Sequence, residues 1–109
     1  MAENGTSTQN IFDIQAEFCG LFSNPARLRI VWLLSEGERN VTDLAKELDL
    51  PVSTLSGHLR KLRDKGVVES RREGATIYYS MVSEHFMKGC VEIRAGILEV
   101  LKRRQSYFD

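Results

Sequence analysis

No stretch of this chain is apolar for long enough to span a membrane. The first ten residues, Met1 to Asn10, carry neither the basic segment nor the apolar segment of an export signal. A cytoplasmic protein without membrane contact is therefore expected. Cysteine occurs only twice, at Cys19 and Cys90, too sparsely for a disulfide-stapled scaffold, and both are expected as thiols. Histidine also occurs only twice, at His58 and His85. There is no phosphate-cradling glycine loop, no pair of carboxylates suited to acid–base work and no Cys–His–Asp constellation. An enzyme is not expected, nor a resident cofactor. Net charge is zero, which at first argues against a nucleic-acid partner.

The charge that is present is unevenly placed. Residues 1–50 hold four Lys/Arg against eight Asp/Glu, a balance of −4. Residues 53–72 hold six Lys/Arg against Asp64 and Glu69, a balance of +4. A basic segment of this size can bind phosphate even when the chain as a whole is neutral. With 109 residues, 42% hydrophobic and 28% charged, the chain has the size and composition of one globular domain. Residues 1–9 read as a flexible tail and 10–109 as the domain.

Apolar spacing divides that domain into elements. Ile11, Ile14, Phe18, Leu21 and Phe22 recur at helical intervals and predict a helix over about residues 10–22. Asn24 and Pro25 suit the cap and first position of a second helix. Its buried positions are Leu28, Ile30, Val31, Leu33 and Leu34, and Gly37 ends it. Thr42 is the expected cap of a third helix running to Leu48, and Leu50-Pro51 breaks the pattern. A fourth helix covers 52–64 and stops before Gly66. Residues 67–81 change to a β-prone pattern around Glu73-Gly74, with Ile77, Tyr79 and Met81 alternating onto one face. From Ser83 a final helix runs to about Arg104, with Phe86, Cys90, Ile93, Ile97 and Val100/Leu101 on one stripe.

Two short helices joined by a tight turn and followed by a hairpin form a winged helix-turn-helix, mainly α with a small β-hairpin wing. In the fourth helix Leu55, Leu59 and Leu62 repeat toward the core, so Ser53, Ser56, Gly57 and Arg60 face outward. Such a helix enters a DNA major groove. Val52 could meet a thymine methyl, Thr54 lies near the helix start, and the small Ser56 and Gly57 permit close approach to base edges. Arg60, Lys61 and Arg63 suit phosphates, and Arg71, Arg72 and Gly74 sit at the wing tip, where arginine reaches a minor groove or flanking phosphate. His58, beside the core leucines, is expected to pack rather than to bind.

The first and last helices are more apolar than surface helices of so small a domain need to be. They are expected to form a dimer interface, which would present two recognition helices to half-sites about 34–36 Å apart. Without the basic face and the arginine-tipped wing, the same fold could serve as a protein-interaction module without DNA reading.

The segments Phe18-Cys-Gly-Leu-Phe-Ser-Asn-Pro-Ala-Arg-Leu-Arg-Ile30, Val41-Thr-Asp-Leu-Ala45, Ser53-Thr-Leu-Ser-Gly-His-Leu-Arg-Lys-Leu-Arg-Asp-Lys-Gly-Val-Val68 and Arg71-Arg-Glu-Gly-Ala-Thr-Ile-Tyr-Tyr-Ser80 resemble the ArsR/SmtB family over about residues 10–104. The resemblance implies a homodimeric repressor that binds operator DNA when free and releases it on binding metal, metalloid or another signal. One metal site of the family uses thiols around the third helix, where this chain reads Val41-Thr-Asp-Leu-Ala-Lys46, with no cysteine. Another uses residues of the last helix, where this chain places Ser83, His85, Gly96 and Glu99. Two of those four ligand types are lost, and a divalent site needs about four ligands. No metal site is expected there.

Cys19 and Cys90 fall on the two helices assigned to the dimer. Three readings stand side by side: small apolar filler, a redox or sulfur switch, and a soft-ion site. Where one redox-sensing group of the family has its first cysteine, this chain has Trp32. The inducer, whether small molecule, oxidant or soft metal ion, is not written in the sequence.

Overall fold

The computed structural model describes residues 10–108, so the tail expected over residues 1–9 lies outside the described residues. Five helices and three short strands follow one another: α1 Ile11–Leu21, α2 Pro25–Ser35, β1 Arg39–Asn40, α3 Val41–Leu48, α4 Val52–Asp64, β2 Val68–Glu73, β3 Thr76–Met81 and α5 His85–Phe108. The strands form one antiparallel sheet in the order β1-β3-β2.

Local chemistry sets the helix starts. Asn10 closes a capping box on α1, its side chain accepting from Asp13 N and the Asp13 carboxylate accepting from the Asn10 backbone. Asn24 accepts from Arg27 N, with Pro25 as the first helical residue. For α3 the expected cap was Thr42, and the structure corrects this to Asn40, whose side chain accepts from Asp43 N at 2.8 Å. The two-residue strand β1 brings Asn40 to the cap position by pairing Arg39 with Tyr79 and Asn40 with Tyr78. Period-2 patterning cannot reveal so short a strand. The last helix begins at His85 rather than Ser83, because Ser83 Oγ accepts from His85 N outside the helix. It runs to Phe108 rather than Arg104.

The core lies where α2, α3 and α4 meet the sheet. Ile30, Val31, Leu34, Leu44, Leu48, Leu55, Leu59, Leu62, Val67, Val68 and Tyr79 are buried there. Leu28 and Leu33, expected inside, are half-buried. Burial of the three α4 leucines fixes which side of that helix is left for solvent.

Helices α1 and α5 are attached differently. Phe18 of α1 and Phe22, the residue just past its end, hold Phe86 of α5, but most of α5 projects from the body. The radius of gyration is 17.0 Å, against about 13 Å for a compact domain of this length. Ile11 and Phe12 of α1, and Ile93, Ile97, Leu98, Val100 and Leu101 of α5, are all exposed. Large apolar side chains left exposed along two helices mark an association face.

Candidate nucleic-acid interface

Helix α4 presents its two faces as the spacing predicts. Leu55, Leu59 and Leu62 are fully buried, whereas Val52, Ser53, Thr54, Ser56, Gly57, Arg60, Lys61 and Arg63 are all exposed. Pro51 occupies the cap position and provides no side-chain acceptor, so the first-turn N–H groups and the positive end of the helix dipole are left open. A Cβ added at Gly57 would meet nothing within 4 Å, so the missing side chain leaves clearance on the outside of the protein only. His58 is half-buried rather than in the core. Burial lowers its pKa, and the nearby Arg27 and Lys61 charges lower it further.

The wing hairpin pairs Val68 with Met81, Ser70 with Tyr79, Arg71 with Tyr78, Arg72 with Ile77 and Glu73 with Thr76. Gly74, at φ 64°, supplies the left-handed residue of the turn. Strand alternation gives the two arginines different surroundings. Arg72 shares its face with Val68 and Ser70, the side that packs on the helices. Arg71 lies on the other side, where its guanidinium meets two carboxylates. Nε donates to Glu38 Oε2 at 2.9 Å, Nη2 to Glu38 Oε1 at 2.8 Å, and Nη1 to Glu73 Oε1 at 3.1 Å. The same guanidinium lies over the Tyr78 ring, 4.4 Å from its centroid. These hydrogen bonds raise the Arg71 pKa and lower that of Glu38.

In the sequence Arg71 and Arg72 form one cluster, and the only signal of Glu38 is a carboxylate in the connection before β1. Among the described residues, Arg60, Lys61, Arg63 and Arg72 make no ion pair, while Lys65 is paired to Glu17 at 3.2 Å and Arg71 to Glu38 and Glu73. The surface formed by α4 and the Arg72 side of the wing thus keeps its positive charge unneutralised.

The thiols lie away from this surface. Cys19 is exposed and Cys90 half-buried, and both are free. They line a common cavity of about 460 Å³ with Phe22, Leu28, Trp32 and Ile93. Burial raises the pKa of Cys90, and the proximity of Cys19 adds to this. Arg94 also lines the cavity, its guanidinium lying over the Trp32 ring at 4.0 Å. Among the described residues no three metal-ligating side chains gather at one point, and no helix is long and apolar enough to cross a membrane.

Comparison with known proteins supplies the lineage. The family signature described as "Bacterial regulatory protein, arsR family" matches residues 24–70. A cadmium resistance transcriptional regulatory protein CadC homolog of Staphylococcus aureus is 38% identical over 85 residues, covering 77% of this chain and 69% of that protein. The chain belongs to the arsR family of bacterial regulatory proteins. Its members are transcriptional regulators, a class distinct from enzymes. The fold agrees with solved relatives. The crystal structure of Rv0081 of Mycobacterium tuberculosis superposes with a TM-score of 0.78 at 34% identity, covering 88% of this chain and 97% of that one. The homodimeric winged helix-turn-helix DNA-binding domain Mb0332 of Mycobacterium bovis superposes with a TM-score of 0.77 at 30% identity, covering 94% and 95%. This arsR-family chain therefore has the winged helix-turn-helix fold.

Proposed function

We propose that this chain is a homodimeric, cytoplasmic repressor. It binds operator duplex through α4 and the wing, and leaves the DNA when a signal reaches α1 and α5. The observation that carries the reading is the set of unpaired cations, Arg60, Lys61, Arg63 and Arg72, around the exposed hydroxyls of Ser53, Thr54 and Ser56. Unneutralised guanidinium and ammonium groups gain by displacing counterions from phosphate, and hydroxyls beside small residues can reach base edges. Gly74 keeps the wing tip free of side-chain bulk next to Arg72. Dimerisation is supported by the exposed apolar side chains of α1 and α5, which a second copy would cover.

The test is affinity for operator and scrambled duplex across a salt series. Binding should weaken steeply with salt. Arg72→Ala should lower the slope by about 0.9 on both sequences, the loss of one phosphate contact. Ser53→Ala or Ser56→Ala should change preference between the sequences at constant slope. Weak binding indifferent to salt would leave the chain as a protein-interaction module.

A second reading concerns the signal and rests on Cys19 and Cys90 sharing one cavity between α1 and α5. With hydrogen peroxide as oxidant, the two thiols would give up two electrons and two protons to form a disulfide and two waters. That bond would tie α1 to α5 and alter the dimer face. Peroxide should then change duplex affinity in wild type but not in Cys19→Ser or Cys90→Ser. An equal response in all three leaves the thiols as cavity filler.

A further inference from the structure

The wing carries one arginine, Arg71, held by carboxylates of its own chain, and another, Arg72, that makes no ion pair among the described residues. We propose that Glu38 is a positioning residue for DNA binding: by holding Arg71 it fixes the wing at the height where Arg72 reaches the duplex. The proposal rests on the DNA-binding reading above.

The geometry is that of a fork on a fork. Two guanidinium nitrogens of Arg71 meet the two carboxylate oxygens of Glu38, at 2.9 and 2.8 Å. Planar bidentate pairing fixes orientation as well as distance, unlike a single flexible contact. The Tyr78 ring beneath the guanidinium and Glu73 beside it hold the remaining freedom of the side chain. Arg71 is thus neutralised from two sides and already fully engaged, which makes it a poor competitor for phosphate.

What Glu38 is attached to gives the contact its reach. It lies in the connection from α2 to β1. The neighbouring Arg39 donates through Nε to Glu47 of α3 at 3.1 Å and through Nη1 to the Gly37 carbonyl at 3.0 Å. Asn40 pairs with Tyr78 in the sheet and caps α3. The wing is therefore tied through Glu38, Arg39 and Asn40 to the helix that precedes the recognition helix. Arg72, on the opposite face of β2, inherits its position from this bracket.

An isolated surface ion pair does little for stability, so the proposal is tested on binding and on local order. The probe is a labelled mixed-sequence duplex long enough for two half-sites, titrated over a salt series with wild type, Glu38→Gln, Arg71→Ala, the double variant and Arg72→Ala. Glu38→Gln and Arg71→Ala should each weaken binding about fivefold at unchanged salt slope. The double variant should be no weaker than either single one, since the two residues act as a unit. Arg72→Ala alone should lower the slope.

Tighter binding by Glu38→Gln, or a lowered slope in Arg71→Ala, overturns the proposal, because Arg71 would then contact phosphate and Glu38 would compete with it. Affinity equal to wild type also overturns it. Amide hydrogen exchange over residues 71–78 of the free protein gives a readout independent of DNA, and exchange should be faster in Glu38→Gln. Unchanged exchange overturns the role of Glu38. Loss of salt-dependent duplex binding in wild type itself, with faster exchange in the variant, removes the DNA reading and the positioning role with it, but leaves the bracket standing.

Discussion

Phe18 and Phe86 stack with their ring planes within 5° and their centroids 6.1 Å apart, and this pair joins α1 to the base of α5. Phe22 adds a tilted contact with the same ring at 5.9 Å. Three aromatic rings thus aim a long helix whose distal apolar side chains are exposed.

Removing the shared ring should loosen that aim. Phe86→Ala should cost about 1–3 kcal/mol of stability, the range for losing a partly buried aromatic side chain. Because α5 also bears the exposed apolar stripe, the variant should dissociate to monomer at higher protein concentration than wild type. Thermal unfolding and analytical ultracentrifugation measure the two effects. A variant that unfolds earlier but dimerises normally would place the dimer contacts beyond the reach of Phe86.

The Glu38–Arg71 pair carries a pH signature. The hydrogen bond from Arg71 favours the ionised carboxylate and holds the Glu38 pKa below its ordinary 4.5, against the opposing effect of burial. The unfolded chain takes up the proton first as pH falls. The stabilising contribution is therefore complete above about pH 4.5 and is lost as pH drops through the depressed value. Denaturant melts between pH 6 and 3 should show a smaller acid loss for Glu38→Gln than for wild type. Parallel curves would mean that solvent screens the pair completely.

His58 also costs stability as pH falls, but over a higher pH range and because its charged form is disfavoured. Burial and the Arg27 and Lys61 charges disfavour its protonated form, so the folded state binds a proton less readily than the unfolded chain, whose value is near 6.5. Stability is full above that value and declines as pH falls from 6.5 toward the lowered one. His58→Gln should flatten this segment of the stability–pH curve, leaving the acid loss of Glu38 in place. NMR titration of the His58 ring should give a midpoint below that of an unfolded peptide. A midpoint above it would mean that a neighbouring carboxylate outweighs the two cations.

Much of this could be read from spacing because the elements are short and strongly periodic. Leu55, Leu59 and Leu62 reported the buried face of α4, and Ile77, Tyr79 and Met81 that of β3. Asn24-Pro25 carried its own local chemistry. What escaped depends on distant partners. Asn40 rather than Thr42 caps α3 because β3 pairs with residues 39–40, and no local propensity encodes that pairing. Arg71 and Arg72 look alike in sequence, and the pleat of one strand together with a carboxylate 33 residues away separates them. The half-buried position of His58 likewise depends on its neighbours, Arg27 among them, which helical periodicity within α4 does not report.

Gly57 separates fold from function most directly. It sits inside α4, on the exposed side, at a position where a helix ordinarily gains by having alanine. Glycine in a helix interior costs about 0.8–1.0 kcal/mol relative to alanine. Here a Cβ would touch nothing within 4 Å, so no clash in the protein offsets that gain. Gly57→Ala should therefore raise stability by up to about 1 kcal/mol. If α4 lies in a major groove, the same methyl group stands between the helix and the base edges that Ser53 and Ser56 approach. Duplex affinity should fall by about tenfold, on the order of 1.4 kcal/mol, while the salt slope stays constant because no phosphate contact is removed. Thermal melts and the duplex titration are read on the same preparation. A variant more stable than wild type and weaker on DNA places Gly57 at the bases. One more stable and equal on DNA moves the reading face of α4 away from Gly57, toward Ser53 and Arg60.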